Sequence, residues 1–332
     1  MAKKETKKNK RRRKIFLSLI MILFVGIVLT ASTYAWFSAN RTVSVQSIDV
    51  NVSTSQGLQI STDATNWKAI INNDDITGAT WNGSVNQLPT GSNTIVPVST
   101  VGTIDTNGFM EMYRGSIETS SDDGSNILVA EKSTETRGTA GDFIAFDVFI
   151  QSSQAQTVYL TSNSSVVAKG TSTGIENSAR VAFITQGSVP YGSAPSSAWA
   201  LKGNTAKWIW EPNTDVHTAA GVSNALNTYH QTVTEAGAEK LAYKGVKAAI
   251  PESAAIPLDS DNSTYFSNVT TVGSVAGGIP TNQYLTAFDA AEGVTKVRIY
   301  MWIEGQDVDA EDRASGGALT YSLQFSIDSH AS

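Results

Sequence analysis

DFIAFDVFI, from Asp142 to Ile150, is the clearest core segment of the chain beyond its leader, and its reading decides the fold. Nine residues built on Phe, Ile and Val are strand length, too short for a core helix and rich in the side chains that pack on a pleated surface. Thr157-Val158-Tyr159-Leu160 repeats the character after the polar stretch Gln151 to Gln156. The pair predicts a hairpin of two core strands.

Working outward, the same signature recurs on both sides. Ser178 to Thr185 (SARVAFIT), Lys296 to Glu304 (KVRIYMWIE) and Leu319 to Ile327 (LTYSLQFSI) read as strands. Upstream, Phe109 to Ile117 alternates, and Thr94 to Val101 reads as a strand whose Pro97 assigns it to an edge or a bulge. Gly57 to Ser61 is a short strand, and Asn72 to Gly91 reads as a loop. Thr42 to Ser53 alternates with Val43, Val45, Ile48, Val50 and Val52 apolar, and its phase slips once near Gln46-Ser47, which predicts a bulge. Between about 187 and 282 the pattern weakens, with Ala219 to Tyr229 and Val233 to Ala249 suited to two short helices. Strand-dense ends around a softer middle predict one mainly β domain over 36–332. The expected form is an antiparallel β-sandwich with a partly helical insertion at about 187–282.

The first 35 residues give the chain its address. Nine of the first 14 are Lys or Arg, an apolar run from Ile15 to Leu29 follows, and small residues stand at Thr33 and Ala35 ahead of Trp36. That order is a secretory signal peptide cut after Ala35 by a signal peptidase. Left uncut, residues 15–37 approach the ~20 residues that span a bilayer and would anchor the chain with its cations on the cytoplasmic side. Both readings place the chain from about residue 36 at the cell surface or beyond it.

Nine of the 24 bases and one of the 30 acids precede residue 36, so the remainder carries 15 bases against 29 acids. A net of −14 on that part argues against nucleic acid as a partner, because phosphate is bound through clustered Lys and Arg. With no cysteine there is no disulfide, no thiolate metal site and no lipoprotein anchor, which suits a Gram-positive envelope.

Catalytic motifs do not appear. His217, His230 and His330 form no HExxH pattern, no P-loop occurs, and Gly170 to Gly174 (GTSTG) has G-x-S-x-G spacing but reads as a Gly-containing loop and not as a strand-to-helix elbow, so the chain reads as a non-enzyme requiring no cofactor. Two other features carry chemistry. Asp307, Asp309, Glu311 and Asp312 follow a strong strand, and alternating carboxylates on a loop could supply several oxygens to Ca²⁺. No Gly at the sixth position and no Glu at the twelfth means that this is not an EF-hand, and a solvated turn explains the same residues. Trp208 and Trp210 stand near loops and could stack on a sugar, though Trp more often lies in a core.

The leader together with Thr33-Tyr34-Ala35-Trp36-Phe37-Ser38 resembles the start of the TasA/camelysin family of Gram-positive biofilm matrix proteins. The likeness covers about Lys10 to Val52. It implies a jelly-roll subunit that is exported, trimmed and polymerised outside the cell. On that reading, cleavage before Trp36 frees an alternating strand, Trp36 to Ser53, that adds to a neighbour's sheet and drives self-association. The alternatives are a strand paired within its own sheet, and a monomeric adhesin or carbohydrate-binding module working through Trp208 and Trp210.

Overall fold

The computed structural model describes residues 42–53, 57–79, 81–89, 94–120, 124, 126–203, 206–213, 216–226, 233–235, 238–240, 244–252, 256–257, 262–269, 273–274, 279–281, 283–311 and 314–327. The chain divides into two compact units, Met1–Thr33 and Tyr34–Ser332, and every described residue belongs to the second. The leader and its cleavage residues Thr33, Ala35 and Trp36 lie outside the described residues.

The described fold is mainly β, with two large, mostly antiparallel sheets. The first contains β1 (Val43–Val52), β3 (Ile70–Ile71), β4 (Thr94–Ile95), β8 (Gln156–Leu160), β9 (Ser165–Ala168), β18 (Leu285–Ala290) and β20 (Ala318–Ser326). Its order is β18-β8-β20-β1-β3, with β4 also on β1 and β9 also on β20. The second contains β2 (Gln59–Ser61), β7 (Ile144–Ser152), β10 (Ala179–Val189), β11 (Ala206–Glu211), β17 (Gly273–Ser274) and β19 (Gly293–Ile303), in the order β17-β11-β10-β19-β7-β2. Beside them stand the three-stranded sheet of β5 (Met112–Thr119), β6 (Asn126–Ser133) and β15 (Ile256–Pro257), and two small pairs, β12 (Val233–Glu235) with β13 (Ala238–Lys240) and β14 (Gly245–Val246) with β16 (Phe266–Ser267).

One buried cluster joins the two large sheets. Ile48, Val50, Leu323 and Phe325 of the first belong to the same core as Phe146, Val148, Val181 and Ile299 of the second. Phe325 stands edge-on to Phe183 at 5.6 Å and to Phe288 at 5.2 Å. The opposite face of the second sheet is covered as well: Ala145, Ala182, Ile184, Tyr300 and Trp302 pack with Val98, Met110 and Met112. A strand buried on both faces has no polar side to alternate with, which is why 142–150 is apolar almost throughout.

The slip of phase in β1 is a bulge, its register against β20 shifting between Val45 and Ser47, so that Val43, Val45, Ile48, Val50 and Val52 are all buried. β1 runs parallel to β20 through eight paired positions and carries β3 and β4 on its other side. In this structure the strand expected to be free after cleavage is therefore paired inside its own chain.

Four sequence expectations need correction. β7 and β8 do not form a hairpin: β7 pairs with β19 and β2 in one sheet, and β8 with β18 and β20 in the other. The β7·β19 ladder ends at Ser152 opposite Gly293, and the β8·β18 ladder begins at Gln156 opposite Ala290, so one long two-stranded ribbon bends across the corner between sheets. The stretch from 187 does not begin as an insertion, because β10 continues to Val189 and β11 pairs with it. Of the two helices expected there, a six-residue helix at Ala219–Asn224 accounts for part of the first, whereas the second is replaced by β12, β13 and β14. Finally, β6 has no counterpart in the sequence reading, and a five-residue helix, α1 (Asn73–Thr77), interrupts the expected 72–91 loop, capped by Asn72 and Asp75. The remaining helices are α2 (Pro195–Trp199) and α3 (Ala219–Asn224).

Candidate functional site

β19 runs out of the second sheet into the acidic segment 304–311, which turns back on itself. Asp307 N–H bonds to Glu304 O at 3.2 Å and Ala310 N–H to Asp307 O at 2.9 Å. The side chains close the same turns: Glu304 Oε1 accepts from Gln306 N–H, and Asp307 Oδ1 from Asp309 N–H. Compact turns of this kind are what Asp favours, since its carboxylate mimics a backbone acceptor.

The segment is not the solvated loop that its acids suggested. Glu304, Asp307, Asp309 and Glu311 are all at most 2 % exposed. Buried carboxylates need partners, and each has them. Arg180, fully buried on β10, donates from Nη2 to Asp307 Oδ2 at 2.6 Å and from Nη1 to the Asn177 and Ala179 carbonyls. Ser178 Oγ donates to Asp307 Oδ1. Asp309 accepts from Thr218 Oγ1 at 2.5 Å, from Thr218 N–H at 3.0 Å and from Asn177 Nδ2 at 3.1 Å, and lies 3.2 Å from His217 Nδ1. Glu311 Oε2 accepts from Asn224 Nδ2 at 2.6 Å.

These contacts seat α3 on the acidic segment. Thr218 caps the helix by accepting from Gly221 N–H, while its hydroxyl proton goes to Asp309. A Cβ on Gly221 would come within 2.6 Å of Asp309 Oδ1 and 2.9 Å of Val308 O, so only glycine permits the approach.

The charges respond to burial in different directions. Burial pushes Glu304 up to about 7, against hydrogen bonds from Ser99 and Gln306 N–H and the charge of Arg180. Burial also raises Asp307, with Arg180 opposing it. Asp309 is pushed up by burial as well, but its bonds from His217, Thr218 and Asn177 outweigh that and hold it below the ordinary range. Its hydrogen bond to Asp309 raises His217.

Two kinds of chemistry can be compared with this geometry. His217 Nδ1 and one oxygen each of Asp307 and Asp309 lie within 4.8 Å of one another, a spacing that a divalent cation could bridge. Arg180 already places a positive charge on Asp307, so a cation would have to compete with it. Glu311 is engaged with Asn224, and Asp312 lies outside the described residues. His217 and Asp309 also make a histidine–carboxylate pair. The nearby hydroxyls of Ser178 and Thr218 donate to the carboxylates themselves and are not offered to the imidazole as nucleophiles.

Trp208 and Trp210 do not form a stacking platform. Alternation along β11 turns both toward the core, where Trp210 is fully buried and Trp208 half-buried against the same cluster. The residues that the sequence reading missed, Arg180 above all, carried one signal: a charge inside an otherwise apolar strand. The same signal marks a second buried cluster, in which Arg298 on β19 faces Asp147 on β7. Arg298 Nη1 bonds Asp147 Oδ1 at 2.6 Å, and its Nη2 reaches Glu135 and the Val85 carbonyl. Lys296 lies 3.2 Å from Asp147 Oδ2. Tyr300 OH donates to Glu135 Oε2 at 2.6 Å.

Fold and cluster together define a mainly β protein stabilised internally by compensated charges. The chain matches no protein-family model, no curated protein and no solved structure.

Proposed function

We propose that this chain is an exported structural protein of the cell surface or extracellular matrix, folded as a jelly-roll-like β-sandwich, whose first strand is exchanged between copies to build a fibre. The observation that carries the reading is the ladder between β1 and β20, which joins the first described strand to the last. Five apolar side chains of β1 fill a slot bounded on one side by β20 and on the other by the two-residue strands β3 and β4. That slot recognises the strand by its own contacts, whichever copy supplies it. Pairing within the chain and pairing between chains then differ mainly in effective concentration, so export into a crowded matrix favours the second. A head-to-tail exchange does not close and yields a filament.

The reading treats the buried ions as structural and the protein as a non-enzyme. Its test uses a chain lacking residues 36–52 together with a synthetic peptide of residues 42–53. The truncated chain should be poorly folded alone and recover its sheet signal with the peptide, while the intact protein forms fibres that increase with concentration under the electron microscope. An intact protein that stays monomeric at every concentration, with a peptide that restores nothing, would sink strand exchange.

A further inference from the structure

A cavity of about 480 Å³ lies beside Trp81, lined by residues of the 76–88 segment and of 137–139. Its two walls are fixed to each other. Leu88 N–H bonds Gly138 O at 2.7 Å, Gly138 N–H bonds Asn86 O at 2.9 Å, and buried Gln87 donates from Nε2 to Phe143 O and accepts from Thr136 N–H. Gly141, at φ +125°, makes room for that amide: a Cβ there would stand 2.2 Å from Gln87 Cδ. Trp81 is held just as firmly, stacked on Trp199 at 5.7 Å, edge-on to Phe149 and beneath Lys296 Nζ at 5.0 Å. A preformed cavity of this volume is the size of a small-ligand site.

Its lining is chemically mixed. Ile76, Trp81 and Leu88 are apolar. The Asn86 carboxamide oxygen is used by Asp147 N–H, which leaves Nδ2 as its donor, and the Ser84 hydroxyl has no partner among the described residues. Arg137 is exposed and forms no ion pair among the described residues, on a protein whose exported part is strongly acidic. One cation, several neutral hydrogen-bonding groups and an apolar patch match a ring with hydroxyls, an aliphatic face and a single carboxylate. We propose that this cavity binds an acidic sugar, a uronate unit of a polysaccharide, with Arg137 on the carboxylate, Asn86 and Ser84 on ring hydroxyls, and Ile76, Trp81 and Leu88 on the apolar face. The site is independent of β1 and of strand exchange.

Calorimetric titration of the full chain tests it with a glucuronate-containing oligosaccharide, its neutral glucose counterpart and succinate as a simple acid. The uronate sugar should bind saturably, and Arg137→Ala should weaken it about tenfold or more, the loss expected for one charged hydrogen bond. Ala79→Phe, which fills the cavity, should abolish binding, and both variants should melt like the parent. No binding of the uronate sugar overturns the proposal. So does succinate binding as tightly, which would mean an anion site only, and so does uronate binding that survives both substitutions.

Discussion

Arg180, Asp147 and Arg298 each sit in a mainly apolar strand, and each is fully buried. Breaking such a pair costs more than replacing it, because the surviving charge is left uncompensated. Asp307→Ala should therefore destabilise the protein by about 3–5 kcal/mol in urea titrations, whereas the double change Arg180→Met with Asp307→Leu should cost clearly less. The acidic segment also predicts a dependence on pH. Glu304, at about 7 in the fold against an ordinary 4.5, keeps a proton that the unfolded chain releases between those values, so stability falls as pH rises through that window. His217 is raised above 6.5, so its contribution is complete below 6.5 and disappears as pH rises through the higher folded value. Asp309 acts oppositely: its contribution is complete above 3.8 and is lost as pH falls through its lower folded value. Melting temperatures should thus decline from mildly acidic toward mildly alkaline pH. Glu304→Gln should flatten the lower part of that decline and His217→Gln the upper part. At this scale the sequence revealed that acids cluster at 307–311 but not that they are buried, because their partners Arg180, His217 and Asn224 lie on other elements and nothing local links them.

Among elements, strands were legible wherever one or both faces meet a core, as in β1, β7, β10, β19 and β20. Even the bulge at Gln46 was visible, since a slip of phase is a local property. Pairing was not. β7 and β8 are separated by a hairpin-length polar stretch, yet that stretch turns a corner between sheets, a choice made by β18 and β19 more than a hundred residues away. The 233–249 segment misled through its Ala, Glu and Lys content, which favours helix only where tertiary pairing does not intervene. Two substitutions test these elements by denaturant unfolding. Ile48→Ala on β1 should cost about 2–5 kcal/mol, the usual price of emptying a well-packed core site. Gly221→Ala should cost about 1–3 kcal/mol by pushing α3 off the acidic segment, the range of overpacking.

At the scale of the whole molecule, the first and last described strands share a sheet, so the fold closes only when positions some 270 residues apart come together. Long-range β pairing is slow because loop closure precedes its reward. Refolding of residues 36–332 should therefore be slow, and a chain lacking β20 should not reach the native sheet signal. The address in the leader is checked separately: mass spectrometry of the protein from its own cells should find Trp36 as the first residue. No helix among the described residues is long and apolar enough to cross a membrane.

The parallel course of β1 and β20 also has a mechanical side. The chain enters at the start of one strand and leaves at the end of the other, so a pull between residues 42 and 327 is directed along the ladder and not across it. All eight paired positions then bear the load together in shear, and none can be peeled away ahead of the rest.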